Sequence, residues 1–363
     1  FIRHKKLVCY GGTAINELVC FRNPRDSFYH KDDIPDYDFY SPKASDHARQ
    51  LSNILYRKGY KYVEAKSGVH AGTFRIFTNG IQVADVTNLP WKVFRKILKT
   101  SIGIKGIRYA HPNYLRLSLY LELARPQGDV ARWPKIYPRL LLLQKHYPQN
   151  LSVSSGKSSW KKATMKQRNK CYQTLFQTSE KMSTLHENIY HHCIKECIAK
   201  GWVLFGATAF KLYQYYDIEH NKSQRRHLSN FQYDEIKPPS TAVHGDIDVL
   251  VVEAEKEADH LVLMLRKKYN GIYLKKHPGL ETLPEHFEIG FKHRTHQAVI
   301  CLYQTQACYA YYQLPNKLRV GTIFTILSFY YIFFFFSTVR SYYNPKHILC
   351  MAHYLSDFKE RHS

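Results

Sequence analysis

Part of this chain is written twice. Val8-Cys9-Tyr10-Gly11-Gly12-Thr13-Ala14 is echoed by Val203-Leu204-Phe205-Gly206-Ala207-Thr208-Ala209. Asp36-Tyr37-Asp38-Phe39 is echoed in the same way by Gly245-Asp246-Ile247-Asp248-Val249. Self-similarity of this kind means one supersecondary unit used more than once. A length of 363 residues accommodates two compact units, each with its own core. The duplication therefore predicts two tandem α/β (α+β) domains, one over residues 1–150 and the other over residues 171–363.

Local patterns support the first domain. The apolar run from Leu7 to Tyr10 reads as a strand that enters Gly11-Gly12 and then a helix. Another strand is expected around Tyr37–Tyr40. After Pro42, Ala44, Ala48, Leu51 and Leu55 recur at helical spacing. Thr73–Thr78 and Ile81–Val86 flank Asn79-Gly80, a two-residue hairpin signal. Beyond Pro112 the pattern is helical to about Leu143.

Three acids carry the chemistry. Strand side chains alternate faces, so Asp36 and Asp38 project to one side. Two carboxylates that close repel unless a cation sits between them, and hard divalent ions such as Mg²⁺ or Mn²⁺ suit carboxylate and phosphate oxygens. Asp85 lies on the returning hairpin strand among Ile81, Val83 and Val86, where an aspartate needs a metal or a hydrogen-bonding partner. Asp36, Asp38 and Asp85 are thus the expected catalytic residues and ligands of two ions. Gly11 and Gly12 let the backbone approach a phosphate, and the N–H groups of the following helix point at it. Thr13 adds a hydroxyl to a triphosphate or caps that helix. The implied reaction is in-line attack of a hydroxyl on the α-phosphate of a nucleotide.

The second copy keeps Gly206, Thr208, Asp246 and Asp248 but not the third acid. Its hairpin is expected at His286–His293 and His296–Tyr303, and no Asp or Glu occurs between Glu288 and Asp357. The place of Asp85 falls near Cys301, so the second domain is read as degenerate and non-catalytic. Glu288 would have to reach across from the other hairpin strand to replace the missing ligand.

Charge points to the partner. The 53 Lys and Arg stand against 29 Asp and Glu, a formal +24, and residues 51–170 alone hold 23 against 4. A concentrated basic surface gains counterion-release free energy on a polyanion. Tyr109, Tyr114, Tyr120, Trp133, Tyr137 and Trp160 are interleaved with it and could stack on bases. Residues 151–170 contain six Lys or Arg and no acid, as in an exposed basic linker or an RNA-facing loop.

Several residue runs resemble the poly(A) polymerase catalytic subunits of nucleocytoplasmic large DNA viruses, those of African swine fever virus and mimivirus-like viruses most, the poxvirus enzyme distantly. They are Val8 to Asn16, Asp36-Tyr37-Asp38, Tyr120-Leu121-Glu122-Leu123-Ala124-Arg125-Pro126, Gly128-Asp129-Val130 and Arg132-Trp133. The resemblance implies two nucleotidyltransferase-like (DNA polymerase β-type) domains, the second degenerate. It implies that Gly11, Gly12 and Thr13 bind ATP and that Asp36, Asp38 and Asp85 bind metal. The implied activity is template-independent addition of AMP to an RNA 3′ end in a virion or the host cytoplasm, with a homodimer partner or a stimulatory subunit. A related RNA nucleotidyltransferase of other base specificity, or an inactive RNA-binding subunit, are the alternatives. A chain opening on Phe1 is expected to lack its true N-terminus.

Three other features are read conservatively. Residues 321–339 are uncharged and just reach transmembrane length, but their aromatic character fits a buried helix and no stable membrane insertion. Cys193 and Cys197 continue an apolar stripe with Leu185 and Ile189, so His191 and His192 beside them do not predict a zinc site. The eight cysteines show no framework spacing and are expected to be reduced.

Overall fold

The computed structural model describes the chain except residues 69, 150, 152–161, 177–182, 223–246, 294, 337–343 and 363. Two compact units result. Phe1–Arg116 and Tyr137–Pro148 belong to the first; Leu117–Ile136, Gln149 and the chain from Lys162 on belong to the second. The basic stretch 151–170 lies largely outside the described residues, and its end begins a helix at Met165.

The first unit opens with a short helix α1 (Ile2–Lys5), then β1 (Val8–Tyr10), α2 (Gly11–Arg22), β2 (Tyr37–Ser41) and α3 (Ala44–Arg57). It continues through β3 (Glu64–Ser67), β4 (Thr73–Thr78), β5 (Ile81–Asn88), α4 (Trp91–Thr100), β6 (Ile102–Ile104) and β7 (Ile107–Tyr109). Helices α5 (Pro112–Ala124), α6 (Pro126–Asp129) and α7 (Trp133–His146) follow in the chain; α5 from Leu117 on, α6 and the start of α7 up to Ile136 belong to the second unit. The seven strands form one sheet in the order β3-β4-β5-β2-β1-β7-β6. Cys9, Phe39 and Val86 are fully buried on one face, which anchors β1, β2 and β5. Asn79 and Gly80 both have positive φ, 51° and 76°, as a type I′ hairpin turn demands.

The second unit comprises α8 (Met165–Phe176), α9 (Thr184–Lys200), β8 (Val203–Leu204), α10 (Ala207–Lys222), β9 (Ile247–Val251) and α11 (Ala254–Arg266). The hairpin strands β10 (Ile272–His277), β11 (His286–His293) and β12 (Thr295–Gln304) lead to β13 (Tyr311–Gln313) and β14 (Arg319–Gly321). The unit ends in α12 (Ile323–Phe336) and α13 (Pro345–His362). Its sheet order, β10-β11-β12-β9-β8-β14-β13, repeats the first one strand for strand. The duplication is therefore architectural as well as sequential.

The registers agree to the residue. In the first sheet Asp38 pairs with Asp85 across the parallel strands β2 and β5; in the second, Asp248 pairs with Cys301 across β9 and β12. Each hairpin also carries one irregularity at the same place. The register shifts between Ile76 and Phe77 in one and between Ile289 and Gly290 in the other. That shift leaves Val83 and Val299 without a partner, each two residues before the position of the third acid. A β-bulge so placed re-aims the side chains that follow.

Two expectations about apolar and thiol residues meet different outcomes. Helix α12 is 14 residues long and buried over most of its length, and among the described residues no helix is long and apolar enough to cross a membrane. Cys193 and Cys197 are buried in α9 as core. The thiols are not all free, however: Cys171 on α8 and Cys350 on α13 form a disulfide with a Cα–Cα distance of 5.8 Å. The expectation of eight reduced cysteines is corrected here. These two lie 179 residues apart in sequence, and only the packing of α8 on α13 makes them neighbours.

Candidate active site

Strand β1 ends at Tyr10 and the chain passes directly into α2. Gly11 sits at φ +70°, and a Cβ on it would lie 2.0 Å from Asp38 Oδ2. Conformation and space both require glycine there. Gly12 meets a different neighbour: its Cβ would lie 2.5 Å from Tyr29 Oη and 2.8 Å from Arg139 Nη1. The paired glycines thus set the start of α2 between a carboxylate and a guanidinium. No side chain caps this helix and its first turn holds no acid, so its leading N–H groups and positive dipole end favour an anion.

The acids arrive from two strands. Asp38 and Asp85, in register on adjacent parallel strands, share a face of the sheet. Asp36 stands one residue before β2. Its Oδ2 accepts from Gln82 Nε2 at 2.7 Å, and its carbonyl accepts from the Thr13 hydroxyl at 2.5 Å. Thr13 therefore ties α2 to the start of β2 and is not the helix cap. Asp85 Oδ2 is 3.7 Å from Arg75 Nε, while its Oδ1 is buried without a hydrogen bond. Burial pushes the Asp85 carboxyl above the usual range; Arg75 opposes this and the charge of Asp36 adds to it. Cys9, beneath the site, is pushed up to about 12 by burial and by Asp38, which removes it as a nucleophile.

These residues fit a hard divalent ion by donor type, since they offer carboxylate oxygens, one of them buried and unsatisfied. Among the described residues no three His, Cys, Asp or Glu side chains are gathered into a set that would hold an ion alone. Mg²⁺ is commonly held by one or two carboxylates together with substrate phosphates and water, so a closed protein cage is not required.

The corresponding place in the second unit is more deeply buried. A Cβ on Gly206 would again lie 2.0 Å from an aspartate oxygen, that of Asp248, so the local backbone is retained. Asp248 is only 2% exposed. Phe205, at the position of Tyr10, packs against Phe329 and Phe333 of α12 and against Tyr303, with ring centroids 4.1, 6.1 and 5.0 Å away. Tyr330 donates to the Gly206 carbonyl at 3.4 Å. Glu288 is committed elsewhere, accepting from Tyr273 Oη at 2.9 Å and lying 3.0 Å from His277 Nε2. Asp246 lies outside the described residues.

Sequence reasoning did not identify Arg75, Gln82, Tyr29 or Arg139. Without the bulge, Arg75 would face Ala84; with it, Arg75 faces Asp85. Tyr29 and Arg139 meet at Gly12 from positions 110 residues apart, and neither lies in a motif.

A glycine turn is pressed on an aspartate, a second aspartate stands in register beside it, and the mixed sheet that carries them occurs twice in the chain. Residues 1–129 match the family described as poly(A) polymerase catalytic subunit. A protein of Acanthamoeba polyphaga mimivirus, named provisionally as such a subunit, is 39% identical over 150 residues, which are 41% of this chain and 25% of that protein. A similarly named protein of African swine fever virus is 34% identical over 170 residues, 45% of this chain and 34% of its own. The chain thus spans about a quarter to a third of the curated relatives it matches. The crystal structure of the Megavirus polyadenylate synthase superposes with a TM-score of 0.74 at 21% identity, covering 99% of this chain and 66% of that one. At that identity the likeness establishes the shared fold.

Proposed function

We propose that the chain is a template-independent polynucleotide adenylyltransferase that works through its first unit. The observation that carries this reading is the pairing of Asp38, set against Gly11, with Asp85, whose Oδ1 is buried and unsatisfied. The family match over residues 1–129 supports adenylate as the transferred group. The RNA 3′ oxygen attacks the α-phosphorus of ATP. The bond to the bridging oxygen of the β-phosphate breaks, pyrophosphate leaves, and the hydroxyl proton is released. Asp36, Asp38 and Asp85 are the residues that would hold Mg²⁺ or Mn²⁺, which when bound supplies charge for the attacking and leaving oxygens. Gly11 and Gly12 seat the phosphates against the start of α2, with Thr13 fixing that helix to Asp36. The second unit, with Cys301 in place of the third acid, is non-catalytic in this reading. RNA is the acceptor because the basic excess suits a polyanion.

The test is incorporation on an RNA primer with each nucleoside triphosphate supplied singly. ATP should be preferred, and Asp38→Asn should lower incorporation by at least a hundredfold with RNA affinity nearly unchanged. Preference for UTP or CTP would discard the adenylate assignment. Full activity of the Asn variant would discard the site.

A further inference from the structure

Arg139, on α7, is only 9% exposed. Its guanidinium lies between two rings, 4.6 Å from the centroid of Phe28 and 5.6 Å from that of Tyr29. Among the described residues its one hydrogen bond is long, donated by Nη2 to Tyr29 Oη at 3.5 Å. No carboxylate among the described residues pairs with it. Other basic residues differ: Lys145 and His146 on the same helix both engage Asp26, and Arg116 is sealed at 0% exposure with Nη1 donating to Asn113. A buried cation without a counter-charge is costly, and aromatic faces offset only part of that cost.

The position is also over-determined. The loop bearing Phe28 and Tyr29 is fastened to α2 by Asn16 Oδ1, which accepts from the Phe28 amide at 3.0 Å and from the Ser27 hydroxyl at 3.2 Å. The contacts of Asp26 to Lys145 and His146 fasten the same loop to α7. Arg139 Nη1 is thereby held against Gly12, at the uncapped start of α2. Two independent features, a helix end lacking an acceptor and an unpaired buried guanidinium, converge on one spot.

We propose that Arg139 binds the β- and γ-phosphates of the incoming nucleotide. This rests on the nucleotidyltransferase reading and extends it. The glycine pair has Asp38 on one side and Arg139 on the other. A triphosphate whose α-phosphorus lies at the aspartates therefore runs across the glycines toward the arginine. The planar fork donates to two phosphate oxygens at once, and the rings keep it oriented before the nucleotide arrives. Arg139 in this role holds the leaving pyrophosphate, and an AMP moiety alone does not reach it.

The experiment measures binding to the 363-residue chain by calorimetry, without RNA and with EDTA, using inorganic tripolyphosphate and AMP as probes. Arg139→Met, which keeps the apolar stem, should weaken tripolyphosphate by about tenfold or more and leave AMP unchanged. Arg139→Lys, which keeps the charge but not the fork, should lose several-fold. Unchanged tripolyphosphate affinity in the Met variant overturns the proposal, as does failure of the unaltered chain to bind tripolyphosphate. If circular dichroism shows the Met variant unfolded, the Lys variant decides, and wild-type affinity there is equally fatal. The two readings fail separately. A chain that binds tripolyphosphate through Arg139 but adds no nucleotide keeps the anion site and loses the polymerase; one that polymerises normally as Arg139→Met does the reverse.

Discussion

Asp85 shows what burial does to a carboxylate. Its side chain is 14% exposed, one oxygen lacks a hydrogen bond, and its ion pair with Arg75 is loose. Burial raises its pKa above the unfolded value, with Asp36 adding to the effect. The sign follows from linkage. An acid with a raised folded pKa favours the folded state most fully below its unfolded pKa, and that contribution is lost as pH rises through the folded value. Asp85→Asn, neutral and of the same shape, should therefore raise the melting temperature, by more at pH 8 than at pH 4, while abolishing incorporation. Thermal melts of both proteins across that range check it, and an Asn variant less stable at pH 8 would mean that the Arg75 contact outweighs the burial. The position of this acid was legible in sequence because an Asp stood among Ile81, Val83 and Val86. Its neighbour was not, because the one-residue bulge that sets Arg75 opposite Asp85 leaves no compositional trace.

Among the elements, those whose signal is local were legible and those fixed by distant packing were not. Asn79-Gly80 announced its hairpin because two consecutive left-handed residues are uncommon outside such turns. The second hairpin was found by echo, and β11 and β12 fall where expected. The pairing of α8 with α13 had no such signal. There Tyr172 Oη donates to Asp357 Oδ2 at 2.5 Å and lies 2.9 Å from His353 Nδ1, beside the Cys171–Cys350 bond. Closing a loop of 179 residues restricts the unfolded chain strongly. Reduction, or Cys171→Ser, should lower the stability of the second unit by about 2–4 kcal/mol. Urea titrations with and without dithiothreitol measure it. An unchanged midpoint would show that the Tyr172–Asp357 contacts hold the two helices without the sulfur bridge.

At the scale of the whole molecule, one fold is used twice, and the two copies differ where the proposed site lies. The difference between the copies is more than a missing ligand. Cys301 stands in the register position of Asp85, but Phe205, Tyr303, Phe329 and Phe333 also occupy the space beside it, and Tyr330 bonds to the glycine carbonyl. Loss of the acid and packing of α12 over the turn are separable changes, and the second is the harder to reverse. Restoring the carboxylate as Cys301→Asp, in a chain disabled by Asp38→Asn, should therefore recover no incorporation. The same substitution places a second carboxylate at a site 1% exposed, in register with Asp248 at 2%. It should destabilise the second unit by more than about 3 kcal/mol at neutral pH, as burying one charge beside a like charge does. Chemical denaturation at pH 7 and pH 4 tests this, because the penalty must shrink where the new carboxyl is protonated. Recovery of even weak adenylate addition in the double variant would mean that the space is open to a nucleotide, and that the second copy lost catalysis by a single residue and not by being filled.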